Sequence, residues 1–258
     1  MANISRNSSV LSTKVLTTRL IAAAVVATVA AAAITYEWRA EVSLRARLAA
    51  QQQSINELEK RLDTTQVDWP AVAQTVEASV VTVEAGDSLG SAWVAHADTS
   101  GSDLVTNFHV VADQWSAGSA AVQVRQGDST WPGTVVRVDR NDDLAIVHVS
   151  RRLPVLTVAP QRPRLGTTVM AVGSPLGLDG TISIGVVSGY RSLEGSNYLQ
   201  FTAAISPGNS GGPVIDARGR VVAIAAAKFS GVGVEDLSLG IPVTVACDSV
   251  VVCTVSHR

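Results

Sequence analysis

Aromatic side chains are scarce in this chain, at 4% of residues, although apolar residues make up 47%. Alanine and valine carry the hydrophobicity. Charge of one sign is missing as well. Twenty basic against 22 acidic residues leave a formal net charge of −2, which excludes the basic footprint expected for a nucleic-acid partner. No CxxC pair and no HExxH stretch occurs, so no metal and no cofactor is expected. Cysteine is nearly absent. Cys247 and Cys253 lie six positions apart. Within a helix their Cα atoms would be roughly 9 Å apart, and within a strand farther, against a disulfide limit of about 7 Å. Free, partly buried thiols are therefore the expectation; a bridge would need a turn around Asp248-Ser249.

What is present begins with an apolar run. Arg6, Lys14 and Arg19 precede IAAAVVATVAAAAITY, Ile21 to Tyr36, which carries no charge. As a helix this run spans roughly 24 Å and extends toward the ~30 Å hydrocarbon core through Trp38. Having no polar face, it does not fit the core of a soluble protein. Ala31-Ala32-Ala33 would serve as a signal-peptidase site, but the run exceeds a usual signal core. An uncleaved anchor over residues 1–38 is the expectation, with the remainder of the chain on the extracytoplasmic side, in the periplasm or at the cell surface. Cleavage would release it as a secreted protein.

The period then changes. Leu44, Leu48, Gln51, Ile55, Leu58 and Leu62 follow a heptad seam, which predicts a short coiled-coil spacer over 39–68. The competing reading is a solvated helix. Asp68-Trp69-Pro70 is expected to end it.

From Ala78 onward the pattern is β, in short Val/Ile/Thr runs punctuated by glycine, asparagine and aspartate. VVTVEA, SAWVAHA, DLVTN, AAVQVRQ, GTVVRVD and DLAIVHV come first. RRLPVLTVAPQRPR interrupts them, and TTVMAVG, GTISIGVVSG, NYLQFTA, RVVAIAAA and LSLGIPV follow. The break divides residues 69–258 into two similar halves, about 69–155 and 160–258. An all-β fold of two barrels meeting at a cleft is expected, and clefts of this kind bind ligands.

Residues 203–216, AAISPGNSGGPVID, place glycines and prolines around one serine, Ser210. Such a segment serves backbone shape, because glycine reaches dihedrals closed to other residues and proline fixes its own. A serine hydroxyl is a weak nucleophile unless a base takes its proton and a third group orients that base. Of the histidines, His96 and His148 sit within strand patterns and His257 in the tail. His109, in DLVTNFHVVAD, directly follows a strand. VDRNDDLAIVHV offers Asp142 and Asp143 as the orienting acid, and Asp143 adjoins the buried run.

Taken in order, TNFHVV, NDDLAIV and AAISPGNSGGPVI resemble the HtrA (Deg) family of trypsin-like serine proteases from Ala78 to about Val245, and GSPLG with ISIGVVSG fits the stretch before the nucleophile. The resemblance implies the two-barrel chymotrypsin fold. It implies a catalytic triad of His109, Asp143 and Ser210, and an oxyanion hole from the backbone of Gly208, Asn209 and Ser210, with the N–H groups of Gly208 and Ser210 as donors. It places the floor of the primary pocket at Ala204 and Ile205, with Ala225, Ala226, Ala227 and Leu239 as apolar walls. The activity implied is endoproteolysis of exported, unfolded or damaged polypeptides by a membrane-tethered enzyme, as a homo-trimer.

Three departures stand beside the resemblance. The chain reaches Arg258 without room for the PDZ domain common in the family. The strand LGSAWVAHA replaces the usual Gly-Ser-Gly, a change expected to matter little. Asn209 precedes the serine, so activation by a new N-terminus pairing with a carboxylate is not expected. Two other function classes compete. Gly208 to Gly212 also fits the G-x-S-x-G elbow of α/β-hydrolases, with Asp236 or Asp248 and then His257 completing the set; the strand pattern after Pro213, where the elbow needs a helix, argues against it. An inactive protease fold used as a membrane scaffold is the other, and an intact triad argues against that.

Overall fold

The computed structural model describes residues 6–65, 67–173, 180–193, 195–231, 234–251 and 253. The chain divides into two units, 1–67 and 68–258.

The first unit is one helix, α1 (Arg6–Thr65). The apolar run and the heptad stretch share it without a break. Its part from Arg19 to Glu57 contains a window of mean hydropathy 1.9, long and apolar enough to cross a membrane. The two threonine hydroxyls within the apolar run turn back onto the helix: Thr28 Oγ1 donates to the Ala24 and Val25 carbonyls, and Thr35 Oγ1 to Ala32, bonds that satisfy each hydroxyl within its own helix. Past Trp38 the surface becomes ionic, as in the Glu41–Arg45 pair at 2.6 Å.

The second unit opens with α2 (Trp69–Glu77). Asp68-Trp69-Pro70, expected only to end the preceding helix, starts a new one. Asp68 is the N-cap, accepting from Ala71 N–H at 3.0 Å, and Pro70 stands in the first turn, where its missing N–H costs nothing. Ala73 and Val76 bury the inner face of α2.

Two closed barrels follow. The first orders its strands β1-β2-β3-β6-β5-β4, the second β10-β11-β12-β9-β8-β7, and every ladder is antiparallel. The first comprises β1 (Val80–Ala85), β2 (Ser88–Ala97), β3 (Ser102–Asn107), β4 (Ala121–Gln126), β5 (Ser129–Asp139) and β6 (Leu144–Val149). The second comprises β7 (Thr168–Gly173), β8 (Thr181–Leu193), β9 (Ser196–Phe201), β10 (Pro213–Ile215), β11 (Val221–Gly231) and β12 (Val234–Pro242). Closure leaves no barrel edge unpaired. A short helix, α3 (Phe108–Ser116), interrupts the first barrel after β3, and α4 (Val243–Ser249) follows the second.

The small side chains explain the packing. Val83, Val94, Leu104, Val124 and Val147 fill the first barrel, and Leu199, Phe201, Val214 and Ala223 the second. A third cluster joins the barrels: Trp93, Leu144 and Ile146 from one meet Met170, Ile215 and Ile224 from the other. Each fully buried side chain of this size contributes about 1.5–3 kcal/mol, so the seam between barrels is as apolar as either interior. It holds the two facing loop sets in fixed register.

The cysteines depart from expectation. Cys247 and Cys253 form a disulfide, with Cα atoms 5.4 Å apart. Helix α4 ends at Ser249 and the chain reverses through Val250, so neither the helical nor the extended spacing applies. Within the loop it closes, Val250 is buried and its carbonyl accepts from Arg137 Nη1 of the first barrel at 3.0 Å.

Candidate active site

His109 is the second residue of α3, just past the end of β3. Helix starts leave backbone N–H groups without partners, and Asn107, the N-cap, makes no side-chain cap bond. Asp143 supplies the cap from the turn just before β6, the strand paired with β3. Its carbonyl accepts from Phe108 N–H at 3.0 Å and from Asn107 Nδ2 at 3.0 Å, and its Oδ1 accepts from His109 N–H at 2.9 Å. The other carboxylate oxygen, Oδ2, lies 2.8 Å from His109 Nδ1. The imidazole is thereby aimed by its Nδ1 edge, leaving Nε2 for other work.

Asp143 reaches this position at a conformational cost. Among the described residues it alone combines a side chain with positive φ, at 50°. Aspartate tolerates this region better than most residues, and such outliers cluster where function fixes geometry. Arg140 stacks over the Phe108 ring, 5.3 Å from its centroid, fastening the same turn to the start of α3. Asp142, the other carboxylate of the pair, faces Asp139 instead; burial, then Asp139, pushes its pKa above the usual value. Asp143 keeps partial contact with water, its side chain 32% exposed against 48% for His109. Although it adjoins the buried run of β6, the carboxylate is thus only partly desolvated.

The remaining histidines lie elsewhere. His148 Nδ1 is 2.8 Å from Asp103 Oδ1, at the far end of β3, and His96 faces Asp98 at 3.9 Å. His257 and residues 174–177 of the GSPLG stretch lie outside the described residues.

The serine loop consists of two consecutive turns that share Asn209. Asn209 N–H donates to the Ser206 carbonyl at 2.9 Å, and Gly212 N–H to the Asn209 carbonyl at 2.9 Å. Gly208 and Gly211, the third residue of each, have φ of 99° and 86°. A type II turn needs positive φ at that place, and Pro207 supplies the fixed φ of the preceding one. The glycine spacing of PGNSGG is therefore the spacing of two type II turns. Among the described residues, the N–H groups of Gly208 and Ser210 have no acceptor, so both are available to a developing oxyanion. The N–H of Asn209, whose backbone lies between these two, is used by Ser206.

The first barrel grips this loop through β2. Ser91 N–H donates to the Ser210 carbonyl at 2.8 Å. Gly90 lies between Val110 of α3 and Ser210: a Cβ there would fall 2.5 Å from Val110 Cγ2 and 3.0 Å from the Ser210 carbonyl oxygen. The histidine helix and the serine loop thus converge on one glycine. A Cβ at Gly211 would run into the Ser91 carbonyl and Thr106 Oγ1. The Ser210 hydroxyl itself donates to the Ala226 carbonyl at 3.3 Å. Among the described hydrogen bonds none joins it to His109.

The expected pocket residues divide. Ala204 is exposed beside the loop. Ile205 and Ala225 are buried in the interior of the second barrel, Ala226 in the seam between barrels, and Leu239 is buried as well. The backbone of Ala227 pairs with Leu239. Ala225 exchanges backbone bonds with the serine loop, accepting from Gly211 N–H and donating to the Gly212 carbonyl, both at 2.8 Å.

Two closed antiparallel barrels, with a His–Asp pair on one and a glycine-shaped serine loop on the other, define the chymotrypsin-like class. The trypsin-like peptidase domain profile matches residues 90–224. The chain belongs to this trypsin-like serine protease family, on its HtrA side. It is 38% identical over 155 residues to a protein of Rhizobium meliloti (strain 1021) described as a probable periplasmic serine endoprotease, DegP-like, an overlap covering 57% of this chain and 30% of the relative. A protein of Chlamydia pneumoniae with the same description is 36% identical over 137 residues, 50% of this chain and 27% of the relative. Among solved structures, the serine endoprotease from Yersinia pestis superposes with a TM-score of 0.61 at 25% identity, covering 71% of this chain and 65% of that one. An HtrA-type protease solved with a decapeptide gives 0.60 at 26% identity, covering 70% and 65%. The chain thus matches less than a third of the length of these curated relatives.

Proposed function

We propose that this chain is a membrane-anchored serine endopeptidase acting on polypeptides outside the cytoplasm. The observation that carries the reading is the division of Asp143 between the backbone and ring of His109, facing a serine loop with two unoccupied amide donors. In the reaction the Ser210 hydroxyl turns from the Ala226 carbonyl to His109 Nε2. It gives its proton to that nitrogen as Oγ bonds to the substrate carbonyl carbon. The carbonyl electron pair moves onto oxygen, where the Gly208 and Ser210 N–H groups meet it. Asp143 stabilises the imidazolium formed, holding its Nδ1 proton. The imidazolium then protonates the leaving amine as the C–N bond breaks, and water repeats the sequence to release the acid and restore Ser210.

The apolar helix α1 supports the anchoring, and the disulfide supports an oxidising compartment. The periplasmic descriptions of the relatives agree with both. The heptad stretch of α1 supports self-association, with a trimer the assembly implied by the family resemblance. Casein digestion by detergent-solubilised full-length protein tests the catalytic reading. Ser210→Ala and His109→Ala should each abolish cleavage, at a loss of about 10⁴-fold or more. Full activity in either variant sinks it.

A further inference from the structure

We infer that Ser91 is a positioning residue for the oxyanion hole, an inference that rests on the catalytic reading above. The Ser91 side chain is wholly buried, and its hydroxyl donates to the Gly208 carbonyl at 2.7 Å, across 117 residues of sequence. The Ser91 N–H holds the Ser210 carbonyl at 2.8 Å. One residue of β2 therefore grips the carbonyls of both residues whose N–H groups form the hole. The Ser91 carbonyl is fixed in turn by Thr106 Oγ1 at 2.8 Å, from the strand that leads into His109. Through these three bonds, the spacing of the two donors is referred to the element that carries the base.

The side-chain bond is the one that matters for Gly208. Glycine has the least torsional resistance of any residue, and Gly208 occupies the third place of a type II turn. The Gly208 carbonyl and the Asn209 N–H form one planar peptide unit, held at one end by Ser91 and at the other by the turn bond to Ser206; the Gly208 N–H is referred to that unit through the φ and ψ of Gly208. Removing the Ser91 hydroxyl also leaves a buried carbonyl without that donor, and such a group rotates toward any alternative partner. The surroundings are built around the hydroxyl. A Cβ at Gly173 would fall 2.9 Å from Ser91 Oγ, and one at Gly212 would fall 3.2 Å from Ser91 Cβ. Two glycines make room for this serine. Its neighbour Ala92 points the other way, into the first barrel. The departure LGSAWVAHA thus substitutes only the inward-facing position and keeps the serine that touches the site.

The donors act on the tetrahedral state more than on bound substrate, so their misplacement has a specific kinetic signature. Ser91→Ala should lower kcat about 10- to 100-fold, short of the loss on deleting a hole donor outright, with KM changed less than about twofold. The Ki of a peptide boronate, whose adduct puts an oxygen in the hole, should rise by the same factor as kcat falls. Affinity for a product-like peptide acid that makes no adduct with Ser210 should stay constant. Ser91→Cys, close in size with a feeble donor, should fall between and serves if the alanine variant does not fold. A merely structural serine would lower the unfolding midpoint and leave the ratio of boronate to product affinity unchanged; that result, or wild-type kcat in both variants, overturns the inference alone. A wild type that digests no casein and takes no boronate overturns it together with the catalytic reading.

Discussion

Asp143 engages His109 twice, once at the helix backbone and once at the ring, with 2.9 Å and 2.8 Å separations. The same carboxylate therefore caps the start of α3 in place of the Asn107 side chain and fixes the direction of the ring. The two roles separate by substitution. Asp143→Asn keeps one oxygen for the His109 N–H but presents an amide where Nδ1 needs an acceptor; kcat should fall about 10⁴-fold with stability nearly intact. Asp143→Ala loses both contacts and places a β-carbon residue without a local hydrogen bond at positive φ. Activity should reach a similar floor while stability drops about 1–2 kcal/mol. Urea titration beside peptide hydrolysis separates them, and equal stability losses in both would refute the capping role.

The Cys247–Cys253 bond closes a short loop, for which chain-entropy reasoning gives about 2 kcal/mol. Cys253→Ser should lower the unfolding free energy by about that amount. The loss should carry over partly to the seam between barrels, because Arg137 loses a fixed Val250 carbonyl. An unfolding midpoint unmoved by dithiothreitol would contradict the bond's contribution.

Asp142 provides a pH test. Its folded pKa is raised, by burial first and by Asp139 second, so the folded chain binds this proton more tightly than the unfolded one. Stability from this group is then present at low pH and is lost as pH rises from the unfolded value near 3.8 through the folded pKa. Asp142→Asn, which mimics the protonated form, should therefore be slightly more stable than wild type at pH 7. Melting temperature measured across pH reads the sign. The gain should vanish below pH 3.8. A variant less stable at pH 7 contradicts the sign.

Specificity can be read from products. Ala204, the proposed pocket floor, is exposed beside the serine loop, and no carboxylate is among the residues proposed to line the pocket. Mass spectrometry of casein fragments should show cuts after small aliphatic residues such as valine and alanine. Fragments ending mainly in lysine or arginine would discard this pocket.

How much could be read beforehand varied with the range of the physics involved. Alternation of Val and Ile with punctuating glycine made the barrels visible, because strand period is a local property. The motif around Ser210 could be singled out for its backbone shape before its two turns were seen. Helix α3 was not foreseen, since nine residues between two strands hold too few periods and its N-terminus is capped by Asp143 from another strand. Helix α2 was missed because Pro70 reads equally as a stop and as a start. The disulfide was misjudged from spacing within regular structure, whereas the chain turns at Val250. Ser91 lay in a stretch set beside the resembled family's Gly-Ser-Gly, but its role was not legible, because its partner lies on a loop in the other barrel.

The separations along the chain set an order of assembly. His109 and Asp143 are 34 residues apart, within the first barrel; Ser91 and Gly208 are 117 apart, one in each barrel. During synthesis the base and its acid can meet while the second barrel is still unmade. The clamp on the donors cannot close until nearly the whole chain has emerged. A nascent or half-folded chain can therefore hold the oriented histidine before the serine loop is in place, and on the proposed function such a chain has no proteolytic activity. In refolding experiments, reactivity toward a fluorophosphonate should accordingly appear with the last structural phase, and its appearance in an earlier one would break this ordering.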